Sequence, residues 1–116
     1  MKMFITTLSM VSFFIAPAVA MADSGGNCHF HGSKAAAEST VLKCADQRKE
    51  GLIKGGKLDG SWSPVKHESI ATIDGKKGKE WRVVYKNTAA ADKAKTSLYM
   101  FFTPPGNFIA ANHTGQ

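Results

Sequence analysis

The spacing of apolar residues along this chain switches from a helical period to a period of two. Within residues 33–54, Val41, Leu42, Ala45, Leu52 and Ile53 recur at near-helical spacing, with Ala37 and Arg48 or Lys49 completing the rows. Ser33 is placed to cap this helix, and Lys34-Ala-Ala-Ala-Glu38 supplies strong helix formers with an acid in the early turns. Gly51 weakens the interior, and Gly55-Gly56 follow Lys54 as a stop signal. The apolar stripe is narrow, which suits a helix that lays one face on a sheet and leaves the other in water.

Beyond residue 56 the pattern is that of strands. Residues 68–74 read as a first strand, Asp74-Gly75 as the opening of a turn, and residues 76–79 as a basic hairpin loop. Residues 80–87 form a central strand with Trp81, Val83 and Tyr85 on one face and Arg82, Val84 and Lys86 on the other. Residues 97–103 and 108–113 are two further strands joined by Pro104-Pro-Gly-Asn107, where proline presets φ and glycine supplies a positive one. Residues 57–64 make a connector whose Leu58 and Trp62 are expected to tuck under the sheet edge. Residues 88–95 make a second connector, with a helical turn. The expected architecture is α+β: one N-terminal helix packed on a four-stranded antiparallel β-meander.

This pattern leaves apolar surface over. Leu98, Met100 and Phe102 alternate with Tyr99 and Phe101, and Phe108 and Ile109 are adjacent, so the last hairpin is apolar on both faces. One helix covers one face of a sheet. The other, marked by Tyr99, Phe101 and Phe108, is expected to meet the N-terminal arm, a second copy in a homodimer, or a partner.

The first 22 residues stand apart from the fold. Lys2 precedes an apolar run over residues 4–20 with Pro17 near its end, and Ala18-Val-Ala20 and Ala20-Met-Ala22 fit the small-x-small cleavage rule. A signal peptide (1–22) cleaved near Ala22 is expected, ahead of a flexible arm (23–32) and a single domain (33–116). The run is slightly short for a membrane span, so no stable span is expected after cleavage, and the mature protein is expected to be periplasmic or secreted. Loss of Lys2 takes the formal net charge from +6 to +5. That favours acidic ligands or anionic envelope surfaces. Nucleic acid is not an expected partner outside the cytoplasm, and the lysines are scattered rather than striped.

Candidate chemistry gathers in Cys28-His29-Phe30-His31. In an extended arm, alternate residues share a face, so His29 and His31 are expected to present two imidazoles together, suited to Cu(II), Ni(II) or Zn(II). Two ligands are too few for a structural site, so His67, His113, a carboxylate or a second subunit would have to complete it. Cys28 has two alternatives: a disulfide with Cys44, or a free thiol that adds a soft ligand for Cu(I) or Zn(II). His113 closes the last strand and reads either as a ligand or as a strand-end group bonded to backbone; His67 reads as surface. No catalytic set is visible: the chain has no Gly-x-Ser-x-Gly elbow, no triad spacing, no paired carboxylates, no phosphate-cradling loop and no Cys-x-x-Cys pair. An enzyme is not expected.

The stretches Gly56-Lys-Leu-Asp-Gly-Ser-Trp62, Lys79-Glu-Trp-Arg-Val-Val-Tyr-Lys-Asn87, Ser97-Leu-Tyr-Met-Phe-Phe102 and Gly106-Asn-Phe-Ile-Ala-Ala-Asn-His-Thr-Gly115 resemble a family of small uncharacterised exported bacterial proteins over nearly the whole mature chain. Their layout of one helix and then a meander is similar to the PepSY type of periplasmic domain, and members often carry a His-x-His-Gly arm, here Cys28-His29-Phe30-His31-Gly32. The resemblance implies an envelope location and this fold. By analogy with PepSY-type domains it also suggests restraint of proteases or help in envelope assembly. The expected function is a non-enzymatic binding or modulatory module acting on an envelope protein or peptide. The alternative is a metal-binding envelope protein using His29 and His31.

Overall fold

The computed structural model describes residues 28–116; the expected signal peptide and residues 23–27 of the arm lie outside them. A helix α1 (Glu38–Lys54) is followed by a 3-10 turn (Gly60–Trp62) and four strands, β1 (His67–Gly75), β2 (Gly78–Lys86), β3 (Ser97–Phe102) and β4 (Phe108–Asn112). The strands form one antiparallel sheet in the order β1-β2-β3-β4. This is the α+β architecture, helix then meander, that the periodicity predicts.

The helix begins four to five residues later than expected. Ala37 occupies the N-cap with extended dihedrals and no side-chain cap, so Ser33 does not serve. The cause is long-range. Ala36 N–H donates to Pro104 O at 2.8 Å, and the Phe30 main chain is clamped by Asn107. These bonds hold the segment before Glu38 against the β3–β4 loop, where helical dihedrals would break them. The helix ends as expected: Gly55 N–H donates to Gly51 O, and Gly56 takes the positive φ, +79°.

The core lies between α1 and one face of the sheet. Val41, Cys44 and Ala45 from the helix meet Val83 and Tyr85 of β2 and Leu98, Met100 and Phe102 of β3, all buried. Leu58 and Trp62 close one end, as their apolar character in a polar connector suggests. The connector 88–95 contains turns rather than a helical segment, and its Ala90 is buried in the core.

Hairpin β1–β2 is tighter than expected. Gly75 pairs with Gly78, leaving Lys76 and Lys77 as the turn, and Gly78 carries a φ of +127°. With Gly78 taking the unusual dihedral, neither lysine needs a positive φ and both strands run to the turn.

One polar network ties the connectors together. The Asp59 carboxylate accepts from the Ser61 amide at 2.9 Å and from the Ser61 hydroxyl, which in turn accepts from Asn87 Nδ2 at 2.8 Å. The hydroxyl bond, then the amide bond, holds the Asp59 pKa below the usual aspartate value. A depressed folded pKa contributes stability that is present above the unfolded value, about 3.9, and is lost as pH falls through the folded one. Asp59→Asn, which keeps a capping oxygen but cannot titrate there, is therefore expected to flatten the acid limb of a stability-against-pH curve below about pH 4. An unchanged slope would show that Asp59 is not held this way.

Candidate functional site

Two surfaces carry unusual chemistry: the sheet face turned away from α1, and the exposed histidine pair before it.

Side chains on the outer face follow from register. Arg82 lies between Ala71 and Phe101, and Val84 between Ser69 and Tyr99. Tyr99 and Phe101 are thus placed on the face turned away from α1, as expected. Phe101 is nonetheless only 6% exposed, and the backbone of Gly115 lies close to the Tyr99 ring. Phe108 is not on this face. The pairing of β3 with β4 shifts between Phe101 and Phe102, so that Phe102 pairs with Phe108 and the pair turns toward the helix. There the two rings meet edge to face at 5.7 Å, and the Arg48 guanidinium lies 3.9 Å above Phe108. The same shift leaves Ile109 unpaired and outward at 44% exposure, the one exposed large hydrophobic among the described residues.

Ile73, Phe101, Pro104 and Ile109 contribute the apolar lining of a groove of about 800 Å³ that Lys76 and Lys77 border. Lys79, beside them, is paired with Asp74 at 2.7 Å, whereas Lys76 and Lys77 are exposed and make no ion pair among the described residues. In the neighbouring row, Arg82 Nε is buried and has no hydrogen-bond partner among the described residues. Asp74 and Glu80 line the groove beside the lysines, so its apolar floor and mixed-charge rim suit a ligand with apolar side chains and an acidic group that meets Lys76 and Lys77.

The histidine pair sits on the segment expected as a flexible arm, which over residues 28–32 is fastened. Cys28 is bonded to Cys44 with a Cα–Cα separation of 5.7 Å. Asn107 Oδ1 accepts from Phe30 N–H, and Asn107 Nδ2 donates to Phe30 O at 2.9 Å. Phe30 turns inward against Gly106, where an added Cβ would meet the ring at 3.0 Å. His29 and His31 are both exposed, with ring centroids 4.8 Å apart. The expectation that alternate residues share a face is met. The disulfide decides between the alternatives for Cys28, which has no thiolate to offer a metal.

The other histidines do not join the pair. His113 Nδ1 lies 2.7 Å from Ser97 O, at the opposite end of β3 from the Asn107 clamp, roughly 17 Å away along the strand. It takes the backbone-bonded role. His67, exposed, is paired with Tyr85 at that same far end. Among the described residues no three His, Cys, Asp or Glu side chains converge on a metal-sized site, and no helix is long and apolar enough to cross a membrane.

The sequence pattern did not single out Asn107, Arg82 or Ile109. Asn107 reads as a turn residue, and its reach to Phe30, 77 positions away, leaves no local trace. The bulge that exposes Ile109 is visible only as two adjacent apolar residues, Phe108 and Ile109, at a strand start.

A family model described as a family of unknown function (DUF6488) matches residues 1–116 of this chain. No curated protein and no solved structure matches it.

Proposed function

The chain belongs to this family of unknown function (DUF6488), and from its residues we propose that it is a small exported, non-enzymatic module that binds an envelope protein or peptide on the outer face of its sheet. The observation that carries this reading is Ile109, pushed outward by the bulge onto the lip of an apolar groove that already holds Phe101 and Ile73. What supports recognition is the continuity of Ile109 with Ile73, Phe101 and Pro104 along one groove rimmed by polar residues. Export is supported by the charged and apolar pattern of the first 22 residues and by the Cys28–Cys44 bridge, which an oxidising compartment maintains. The order of helix and meander supports a PepSY-like assignment.

Lys76 and Lys77, exposed and without an ion pair among the described residues, suit an acidic segment of a partner.

A photo-crosslinking residue at position 109 is expected to yield one adduct of defined mass in the producing cell, and the same group at exposed Glu50 on α1 none. An adduct of twice the chain mass would replace the foreign partner with a homodimer. Equal labelling from both positions, or none from 109 in folded protein, would remove the sheet face as the site.

A further inference from the structure

We infer that His29 and His31 form a two-imidazole chelate for Cu(II), separate from the sheet-face groove. Phe30 packs inward while its two neighbours point out, so the imidazoles are on one side of the backbone with centroids 4.8 Å apart. Each ring is exposed, so both retain a nitrogen reachable from solvent.

The backbone under the pair is fixed from three directions. The disulfide holds Cys28, the Asn107 amide holds both main-chain groups of Phe30, and Ala36 N–H is held by Pro104 O. Gly32 makes the turn after His31 with a φ of +88°. A pair of ligands on a free arm would lose chain entropy on closing around an ion. Here that ordering has already been done by folding, and binding gains correspondingly.

The donor set selects the metal. Imidazole nitrogens suit late first-row divalent ions, and at a given nitrogen site Cu(II) binds most tightly of the series. A structural zinc site needs four protein ligands, and among the described residues no third metal-binding side chain joins these two. Two cis nitrogens with water in the remaining positions give an open, exchangeable copper site. Such a site accepts a further ligand from whatever delivers or receives the ion, and the fold does not depend on it.

The test is titration of the purified full chain with copper sulfate, followed by calorimetry and by electron paramagnetic resonance. One equivalent is expected to bind with a spectrum showing two nitrogen ligands. His29→Ala and His31→Ala are each expected to weaken binding about a hundredfold, since each leaves a single imidazole. Asn107→Ala keeps both ligands but frees Phe30, and a loss of about tenfold is expected, as for other groups that orient a ligand. His67→Ala serves as the control and is expected to bind as the parent does. Equal binding by the parent and the His29→Ala/His31→Ala double variant would overturn the proposal, because the copper would then be held elsewhere, as at a terminal amine. Circular dichroism of each variant distinguishes a lost ligand from a lost fold. None of these outcomes bears on crosslinking from position 109, so the two proposals fail separately.

Discussion

Replacing Lys49 by methionine is expected to lower the stability of the domain by about 3 kcal/mol, although the side chain touches no acid and no proposed site. Lys49 is 4% exposed on α1. Its ammonium donates to Trp62 O at 2.9 Å, to Ser63 O at 3.1 Å and to Val65 O, using all three of its N–H groups. They belong to the 3-10 turn and the run into β1, where Trp62 O also accepts from Val65 N–H at 3.1 Å. Methionine matches the length and apolar stem but offers no donor, so Ser63 O and Val65 O lose their partner while Trp62 O keeps only the Val65 amide, at 3.1 Å. Loss of a buried acceptor's partner costs roughly 1–3 kcal/mol, while relief from holding a charge out of water offsets part of the sum. The ammonium also lies 5.4 Å over the Tyr85 ring, a contact methionine keeps only as packing. Tyr85 itself stays neutral well into the alkaline range, because burial and then its bond to Asp46 push its pKa up. Urea unfolding of Lys49→Met and Lys49→Arg measures the effect. Arginine keeps the charge but not the compact three-way donor, so it is expected to recover only part of the loss. A shift below about 1 kcal/mol for the methionine variant would mean that water takes over these carbonyls, and the lysine would then not be what holds the turn under the sheet.

Lys49 also shows where reading the chain residue by residue stops. A lysine in a helical row satisfies the period equally well as a solvated or a buried residue; its three acceptors belong to a turn 13 to 16 positions later, and nothing local encodes the meeting. The meander was legible because its information is local: alternation in residues 80–86, a proline and glycine turn before β4, and β-branched and aromatic residues between turn signals. The start of the helix was not, since Ser33 has the chemistry of a cap while Pro104 and Asn107, distant in sequence, decide the backbone it would have capped. Phe108 lies on the helix side, against the plain alternation, for a related reason. Side-chain direction in a strand is fixed only up to the first bulge, and one unpaired residue reverses everything on one side of it. The shared face of the histidine pair is legible because His29, Phe30 and His31 need only one extended step on each side of the phenylalanine. Whether Cys28 was a ligand or a staple needed geometry that spacing does not contain.

Reducing the Cys28–Cys44 bridge is expected to destabilise the protein by about 3 kcal/mol, the value for a closed loop of this length. For a domain of this size that corresponds to roughly 12–24 °C in melting temperature, and it is a large share of the total stability. The loss is expected to arise chiefly in the unfolded chain. The bridge spans 16 positions, and the segment it fastens is also held by Asn107 and Pro104, so the folded state keeps most of its contacts when the bond is cut. Two measurements separate this account from one in which the bridge holds the arm in place. Denaturant midpoints of the oxidised protein, the reduced protein and Cys28→Ser/Cys44→Ala should place the last two close together and both well below the first. Amide exchange at Phe30, whose N–H donates to Asn107 Oδ1, should remain protected against local opening in the reduced protein, losing only what global unfolding now allows. Full exposure of that amide while the core amides of Val83 and Met100 stay protected would show instead that the bridge is the arm's sole anchor. In that case the copper affinity of His29 and His31 would fall with reduction as well, and the disulfide would set the metal site's strength as well as the domain's stability.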